Sequence, residues 1–429
     1  MLDVREVREN SARFEADLEK RKQPEKVVWL KDLVKKDREY REVLSEIELL
    51  RGKRNGITKE IEKLKAARKP FQSKIGQAKK IPMEIKSLEA QLLGLRGKID
   101  SYLFSLPNPL HESVPVGNSD LDNRVVRFGG KQANPGFPLM HHGELAAKLG
   151  QADFERAAKI SGAGFFFLKN DLALLDFALI RFAVDELLKK GFELTLPPVL
   201  MHKKQYEGVT DLEAFRDVLY KVEGEDLFLI ATSEHPMAAM YSGEIFEETS
   251  LPIRLCGVSP CFRKEVGKHG LDERGLFRVH QFNKVEQFVF CLPEESWGIL
   301  EELVKNAEHF LDALGVHYVV TNVCSGDIGA VAAKKYDINA WSPREKKYIE
   351  LMSISNCTNY QSVGLGIKCR KKGGEKEFVH TLNGTMVATS RAMRILIENN
   401  QTKEGVIKIP QVLWPYMGGK KEIVARKAL

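Results

Sequence analysis

Arg263, Glu265, Arg274, Arg278, Phe282 and Glu286 stand within the 27 residues from Phe262 to Phe288, FRKEVGKHGLDERGLFRVHQFNKVEQF. An ordinary core strand does not carry that many charges. The apolar segments RLCGVSPCF and NKVEQFVFCL read as strands, and a polar loop bearing Gly267, Gly270 and Gly275 joins them. Alternating apolar runs around a glycine-containing loop predict a long antiparallel hairpin. A strand that is apolar on one face and projects arginine and glutamate from the other makes one wall of a site for an anion. Arginine suits that wall because its planar fork binds phosphate or carboxylate oxygens in pairs and stays charged.

Three further groups could join such a site. Thr232-Ser233-Glu234 follows the strand-like LFLIA, Glu350 and Ser353 lie in YIELMSISN, and Arg391 lies in TLNGTMVATSRAMRILIENNQ, a strand running into a helix. Carboxylate and hydroxyl oxygens are hard ligands, suited to Mg²⁺. Taken singly, each group is also what a core strand or a solvated surface supplies.

The elements that must position these residues follow from the apolar periodicity. Leu30, Leu33, Tyr40, Leu44 and Ile47 fall at 3/4 spacing, interrupted by Asp37, and Leu50, Ile57, Ile61 and Leu64 resume the stripe. Ile85, Leu88, Leu92, Leu95, Ile99 and Tyr102 form a second stripe at coiled-coil intervals. Pro70, Gly76 and Pro82 lie between them as helix breakers. Two such stripes around a break predict an antiparallel helical hairpin over about residues 26–104, its first helix spanning roughly 60 Å. The Pro-rich SLPNPLHESVPVG reads as a linker, which divides the chain into 1–107 and 108–429. Residues 171–190 form an amphipathic helix and GFELTLPPVLM a strand.

The net charge of +7 is unevenly spread. Residues 51–80 hold 11 basic and two acidic side chains. Such a cluster is either a solvated helical face or a footprint for a polyanion. The six cysteines form no C-x-x-C pair and show no zinc spacing, so no zinc site is expected and a reducing compartment is. MLDVREVREN lacks the apolar stretch of a signal peptide and no run reaches transmembrane length, so a cytoplasmic protein without a membrane partner is expected.

The run from Phe262 resembles motif 2 of the class II aminoacyl-tRNA synthetases, and within that class the seryl-tRNA synthetases: F-R-x-E, a loop, then R-G-L-x-R-x-H-Q-F-x-K-V-E. The segment GFELTLPPVLM is similar to motif 1 and TLNGTMVATSR to motif 3. The opening MLD-x₄-REN, the basic arm, T-x-E, motif 2, Glu350 and motif 3 occur in family order, so the resemblance covers the whole chain.

The resemblance implies an α+β fold: a class II catalytic domain, an antiparallel sheet flanked by helices, preceded by a long antiparallel coiled-coil hairpin. It implies a homodimeric serine–tRNA ligase that activates L-serine with ATP and transfers it to the 3′ end of tRNA(Ser), and of tRNA(Sec) where that exists. Arg263 and Arg391 would be catalytic, on the α-phosphate with the substrate carboxylate and on the γ-phosphate. Lys264, Glu265, Val279, Phe282, Glu350, Leu351, Met352 and Ser353 would complete the ATP site. Phe282 would stack on adenine, and Glu350 with Ser353 would hold Mg²⁺. Thr232, Ser233, Glu234, Arg263, Glu286, Asn383 and Thr385 would bind serine. Lys53, Arg54, Lys65, Arg68 and Lys69, at and before the arm tip, would bind tRNA.

Three positions depart from the family pattern. Met352 replaces a serine, which would remove a polar contact near the nucleotide; Thr385 stands where bacterial members often carry Ser; and Trp414 stands where Arg is common. The competing readings are a synthetase-like paralogue that binds tRNA or a protein without charging, a coiled-coil interaction protein with an incidental α/β domain, and a ligase that transfers serine to another acceptor. Loss of Arg263, Glu265 or Arg391 would favour the paralogue, and none is lost.

Overall fold

The computed structural model describes residues 1–265 and 275–425, leaving aside the side chains of 213 and 214. Gly267, Gly270 and Arg274 lie outside the described residues. The chain divides into two compact units, Leu2–Pro107, and Asn108–Leu429 together with Met1.

The first unit is helical. Two short helices, Val4–Glu9 and Ser11–Lys20, precede α1 (Pro24–Ala66) and α2 (Gln72–Ser105). Pro24 opens α1 at a position where its missing N–H costs nothing. At 1.5 Å per residue α1 is about 65 Å long. Its buried side chains Val43, Ile47 and Ile57 pack with Ile81, Ile85 and Leu95 of α2. The seam takes Val43 rather than Leu44, which is only half-buried, because a straight helix drifts against a 3.5-residue repeat. Gly76 and Pro82 do not break the helix; both lie inside α2, and the reversal falls at residues 67–71. Proline removes one backbone bond, but Ile81 and Ile85, buried on either side of it, hold the turn against α1.

Asp37, which interrupts the stripe in sequence, is 4% exposed. Its carboxylate accepts from Arg8 Nε (2.7 Å) and Nη2 (3.0 Å) and from Arg41 Nε (3.2 Å). A buried carboxylate survives here because three N–H donors replace its water.

The second unit is built on an eight-stranded sheet. Its strands are β1 (Arg124–Gly129), β2 (Glu193–Thr195), β3 (Ile253–Phe262), β4 (Gln281–Cys291), β5 (Tyr318–Asn322), β6 (Lys334–Ser342), β7 (Lys347–Asn356) and β8 (His380–Ala388). They lie in the order β1-β5-β6-β7-β8-β4-β3-β2. Every pair is antiparallel except β2 with β3. The predicted hairpin is β3–β4, paired from Ile253–Phe290 to Phe262–Gln281. The unit's helices include α3 (His142–Lys148), α4 (Asn170–Leu188), α5 (Glu234–Ala239), α6 (Ser296–Ala313), α7 (Tyr360–Leu365) and α8 (Thr389–Asn400). The main core joins α4, α6 and α8 to the apolar face of the sheet through Leu179, Phe182, Leu303, Phe310, Val285, Ile354, Leu382 and Leu396. An antiparallel sheet covered on one face leaves the other free for polar side chains. Trp414 packs on this core, donates to the Ile409 carbonyl (2.9 Å) and lies beneath Lys421.

Candidate active site

A cavity of about 400 Å³ opens on the polar face of the sheet. Thr232, Glu234, Arg263, Phe282, Glu286, Glu350, Leu351, Ser353, Asn383, Thr385 and Arg391 line it. Residues up to 159 positions apart in sequence, from Thr232 to Arg391, are thus gathered at one place.

Local geometry explains how. Phe282, Lys284 and Glu286 alternate along β4 and therefore share a face. Glu286 pairs with Thr385 of β8, and Met386 is then the extra residue of a bulge, so Ala388 returns to the cavity face. A second bulge does the same on β7. Met352 pairs with Ile338 and Glu350 with Asn339, leaving Leu351 as the extra residue. In a regular strand residues three apart point to opposite faces. The bulge is what puts Glu350 and Ser353 on the same face. It also turns Met352, 2% exposed, into the core, so its exchange for serine removes no contact from the cavity.

Arg391 is the third residue of α8, whose first turn opens toward the cavity. Its Nη1 donates to Glu350 Oε1 (3.3 Å) and to the Glu350 carbonyl (3.2 Å), and its guanidinium lies over Phe277, 5.4 Å from the ring centre. Arg263 directly follows β3; its Nε donates to the Ala231 carbonyl (3.3 Å) and its guanidinium lies 5.3 Å from the centre of Phe282. Both arginines are thus aimed by an aromatic plate and a carbonyl.

Other candidates fall elsewhere. Ser233 is fully buried, and its hydroxyl has no hydrogen-bond partner among the described residues. It packs against Gly257, where a Cβ would stand 2.8 Å from Ser233 Oγ and 2.7 Å from Met237 Sδ. Lys264, adjacent to Arg263, points the other way, into a cavity with Lys203, Arg216 and Lys221. Val279 is 2% exposed, and the neighbouring His280 carbonyl accepts from Arg263 N–H (2.9 Å). Glu265 lines an adjoining cavity of about 560 Å³ with Phe277, Arg278, Glu350 and Arg391. Lys53, Arg54, Lys65, Arg68 and Lys69 are all exposed on the helical unit.

The cavity also holds groups not singled out from sequence. Lys284 forms an ion pair with Glu286 and donates to Thr232 Oγ1 (3.3 Å). Its signal was present, since it alternates with Phe282 and Glu286. Gln361 donates to Glu234 Oε1 (2.9 Å). His235, from α5, packs edge-on to Tyr206 and Phe215. Lys335 lines the cavity with its ammonium 3.4 Å from Asp337.

Burial pushes Glu234 up to about 7, the neighbouring Glu286 adding to it, with Lys284 opposing. Glu286 is also raised by burial, against the pull of Lys284. His235 is lowered to about 3 by burial and by Arg263 and Lys284, so it is neutral. Burial raises Asp337 to about 6. At Glu350 burial is outweighed by Arg391, Lys335 and Arg263, which hold it below the usual range and ionised.

A hard cation fits at Glu350. An ionised carboxylate and a hydroxyl, Glu350 and Ser353, line the same cavity, and Asp337, paired with Ser353 across the sheet, has a buried Oδ1 with no hydrogen-bond partner among the described residues. Among the described residues no group of three or more His, Cys, Asp or Glu side chains is arranged to hold a metal.

Comparison with known proteins matches two family profiles: the seryl-tRNA synthetase N-terminal domain over residues 1–110, and the tRNA synthetase class II core domain (G, H, P, S and T) over residues 219–400. The serine–tRNA ligase of Methanocella arvoryzae is 54% identical over 98% of this chain and 99% of its own. That of Thermococcus onnurineus is 47% identical over 99% and 98%. The crystal structure of seryl-tRNA synthetase from Pyrococcus horikoshii complexed with ATP superposes with a TM-score of 0.94 at 46% identity, covering all of both chains. A cytoplasmic serine–tRNA ligase from Naegleria fowleri in complex with AMP gives 0.89 at 34% identity, covering 100% of this chain and 99% of that one.

Proposed function

This chain belongs to the seryl-tRNA synthetase family and is a serine–tRNA ligase, and from that premise we propose how its residues do the work. Activation joins two anions, the serine carboxylate and the α-phosphate of ATP. A carboxylate oxygen attacks the α-phosphorus, the bond to the β-phosphate oxygen breaks, and pyrophosphate leaves. The nucleophile is already ionised at pH 7, so no general base is needed. What is needed is alignment and neutralisation of the charge that gathers on phosphorus. Arg263 supplies that charge at the α-phosphate and the carboxylate. Arg391 holds the γ-phosphate, letting go of Glu350 as it does so. Phe282 stacks on adenine beside Glu265. In the second step a ribose hydroxyl of the tRNA 3′ end attacks the activated carbonyl, and AMP leaves.

Glu350 and Ser353 are the residues that would hold Mg²⁺. That ion, when bound, neutralises the triphosphate. Thr232, Glu234, Glu286, Asn383 and Thr385 form the serine pocket. A site that hydrogen-bonds a substrate hydroxyl rejects the analogue lacking it by roughly 10⁴-fold. Lys53, Arg54, Lys65, Arg68 and Lys69 bind the tRNA backbone. The chain acts as a homodimer in the cytoplasm. The dimer is supported by the edge strand β2, with Leu194 exposed on it and Leu196 exposed just after it, and by the exposed Phe177 of α4. The cytoplasm is supported by six free, buried cysteines. No helix among the described residues is long and apolar enough to cross a membrane.

The observation that carries this assignment is the convergence of Arg263, Arg391, Glu350 and Glu286 on one cavity. Serine-dependent exchange of pyrophosphate into ATP, followed by charging of tRNA(Ser), tests it. Serine should be the one good substrate, with threonine weak and alanine nearly inert. Better activation of alanine, glycine or threonine would leave only the fold.

A further inference from the structure

Among the described residues four cations line the cavity: Arg263, Lys284, Lys335 and Arg391. Three have evident work. Arg263 and Arg391 face the triphosphate and the substrate carboxylate, and Lys335 is paired with Asp337. Lys284 is left, 7% exposed on the floor beside Glu286, which is 1% exposed. A buried lysine and a buried glutamate are costly to assemble unless the pair serves something.

We propose that Lys284 is the shared counter-ion of the amino-acid pocket, keeping Glu286 an ionised acceptor for the substrate hydroxyl while the second carboxylate, Glu234, receives the ammonium. The proposal rests on reading this pocket as the serine site. Two carboxylates in one desolvated pocket raise each other, and one of them takes up a proton unless a cation stays with them. Arg263 cannot be that cation during the reaction, because the substrate carboxylate and α-phosphate occupy it. Lys284 touches Glu286 and reaches Thr232 Oγ1, so it stands between both halves of the pocket. Glu286 and Thr385 face each other across β4 and β8, which sets the acceptor opposite the hydroxyl of Thr385.

The other described groups around the pair do not supply positive charge. His235, on α5, is neutral. Cys261, on β3, and Cys357, after β7, have thiols raised by burial and are neutral too. Gln361, on α7, donates to Glu234 and carries none. Among the described residues, Lys284 and Arg263 are the cations that oppose ionisation loss at both glutamates.

The sign of the pH effect follows. Serine binding weakens as pH falls and the carboxylate pair gains a proton. In the wild type that limb lies near neutrality, where Glu234 titrates at about 7. Removing Lys284 raises both carboxylates, so the limb moves to higher pH.

The test is the KM for serine in pyrophosphate exchange between pH 5.5 and 8.5, on wild type, Lys284→Met and Lys284→Arg. Lys284→Met should move the limb alkaline by about one unit or more, a roughly tenfold higher KM below it. The KM for ATP should stay within about twofold, because no triphosphate contact is removed. Lys284→Arg keeps the charge and should return the limb toward the wild-type position. An unmoved limb in Lys284→Met, with serine activation still measurable, overturns the proposal. Should that variant fail to bind ATP or fold, Glu286→Gln decides. Removing one carboxylate of a coupled pair should shift the limb acid by about one unit, and a limb that stays put overturns the coupling. If the wild type does not activate serine at all, the reading of the pocket fails, which is a separate outcome.

Discussion

The chain carries its positive charge in two ways. On the helical hairpin, Lys53, Arg54, Lys65, Arg68 and Lys69 stand exposed, and nearby pairs such as Arg51–Glu89 and Lys74–Glu60 are exposed as well. In the cavity, Arg263, Lys284, Lys335 and Arg391 are partly or wholly buried, and each is held by an aromatic ring, a carbonyl or a carboxylate. Exposed charges act through their number and are screened by salt. Buried charges act through position, and removing one leaves its partner uncompensated. The two regions should therefore fail differently when they are damaged.

The largest effect is expected in the cavity. Arg263→Ala should lower serine-dependent pyrophosphate exchange by on the order of 10²–10³, with Arg391→Ala somewhat milder, as for other lost transition-state charge contacts. Both variants should fold, because neither arginine is part of the core. Arg391→Ala should also free Glu350 and so alter the divalent-ion dependence of the reaction. Exchange within a few-fold of wild type in both variants would put the cavity's arginines on the same footing as the arm's.

Next in size is the arm. Replacing residues 30–102 by a short linker should leave exchange nearly intact, since no cavity residue is removed, while tRNA charging falls by about two orders of magnitude or more. Neutralising Lys53, Arg54, Lys65, Arg68 and Lys69 together is the graded version. Each lost phosphate contact should flatten the dependence of tRNA affinity on salt, by up to about 0.9 in the log–log slope. Equal charging by the armless protein would erase the distinction between the regions.

The two regions were also unequally legible. The hairpin could be read from residues 26–104 because a coiled-coil seam is a periodic property, visible without knowing any partner. What escaped was local. Pro82 reads as a breaker, yet tertiary packing by Ile81 and Ile85 carries the helix through it. The cavity has no period. Arg263, Glu286, Glu350 and Arg391 stood out through a family resemblance, and a single-strand reading left each ambiguous. The bulges at Leu351 and Met386 were invisible, since an extra residue in a strand has no composition of its own, and they decide which side chains face the cavity. Hence the family pattern points Met352 at the nucleotide, whereas it lies in the core. Lys264 fell to the same alternation, turning away from the face that Arg263 occupies.

The smallest predicted effect sits where the two kinds of charge meet. Asp37 is a buried charge within the solvent-dominated hairpin, and its partners Arg8 and Arg41 keep 32% and 49% of their side chains exposed. Asp37→Ala removes three charge-assisted hydrogen bonds and leaves a hollow in the seam, but the freed arginines can turn to water. The cost should be about 1–3 kcal/mol of hairpin stability, read as an earlier loss of helical circular dichroism in denaturant. Asp37→Leu fills the hollow and restores the apolar stripe, so it should cost less than about 1 kcal/mol. Pyrophosphate exchange should not change in either variant. If Asp37→Leu proved as damaging as Asp37→Ala, position rather than packing would govern this charge, and Asp37 would belong with the cavity's residues rather than with the arm's.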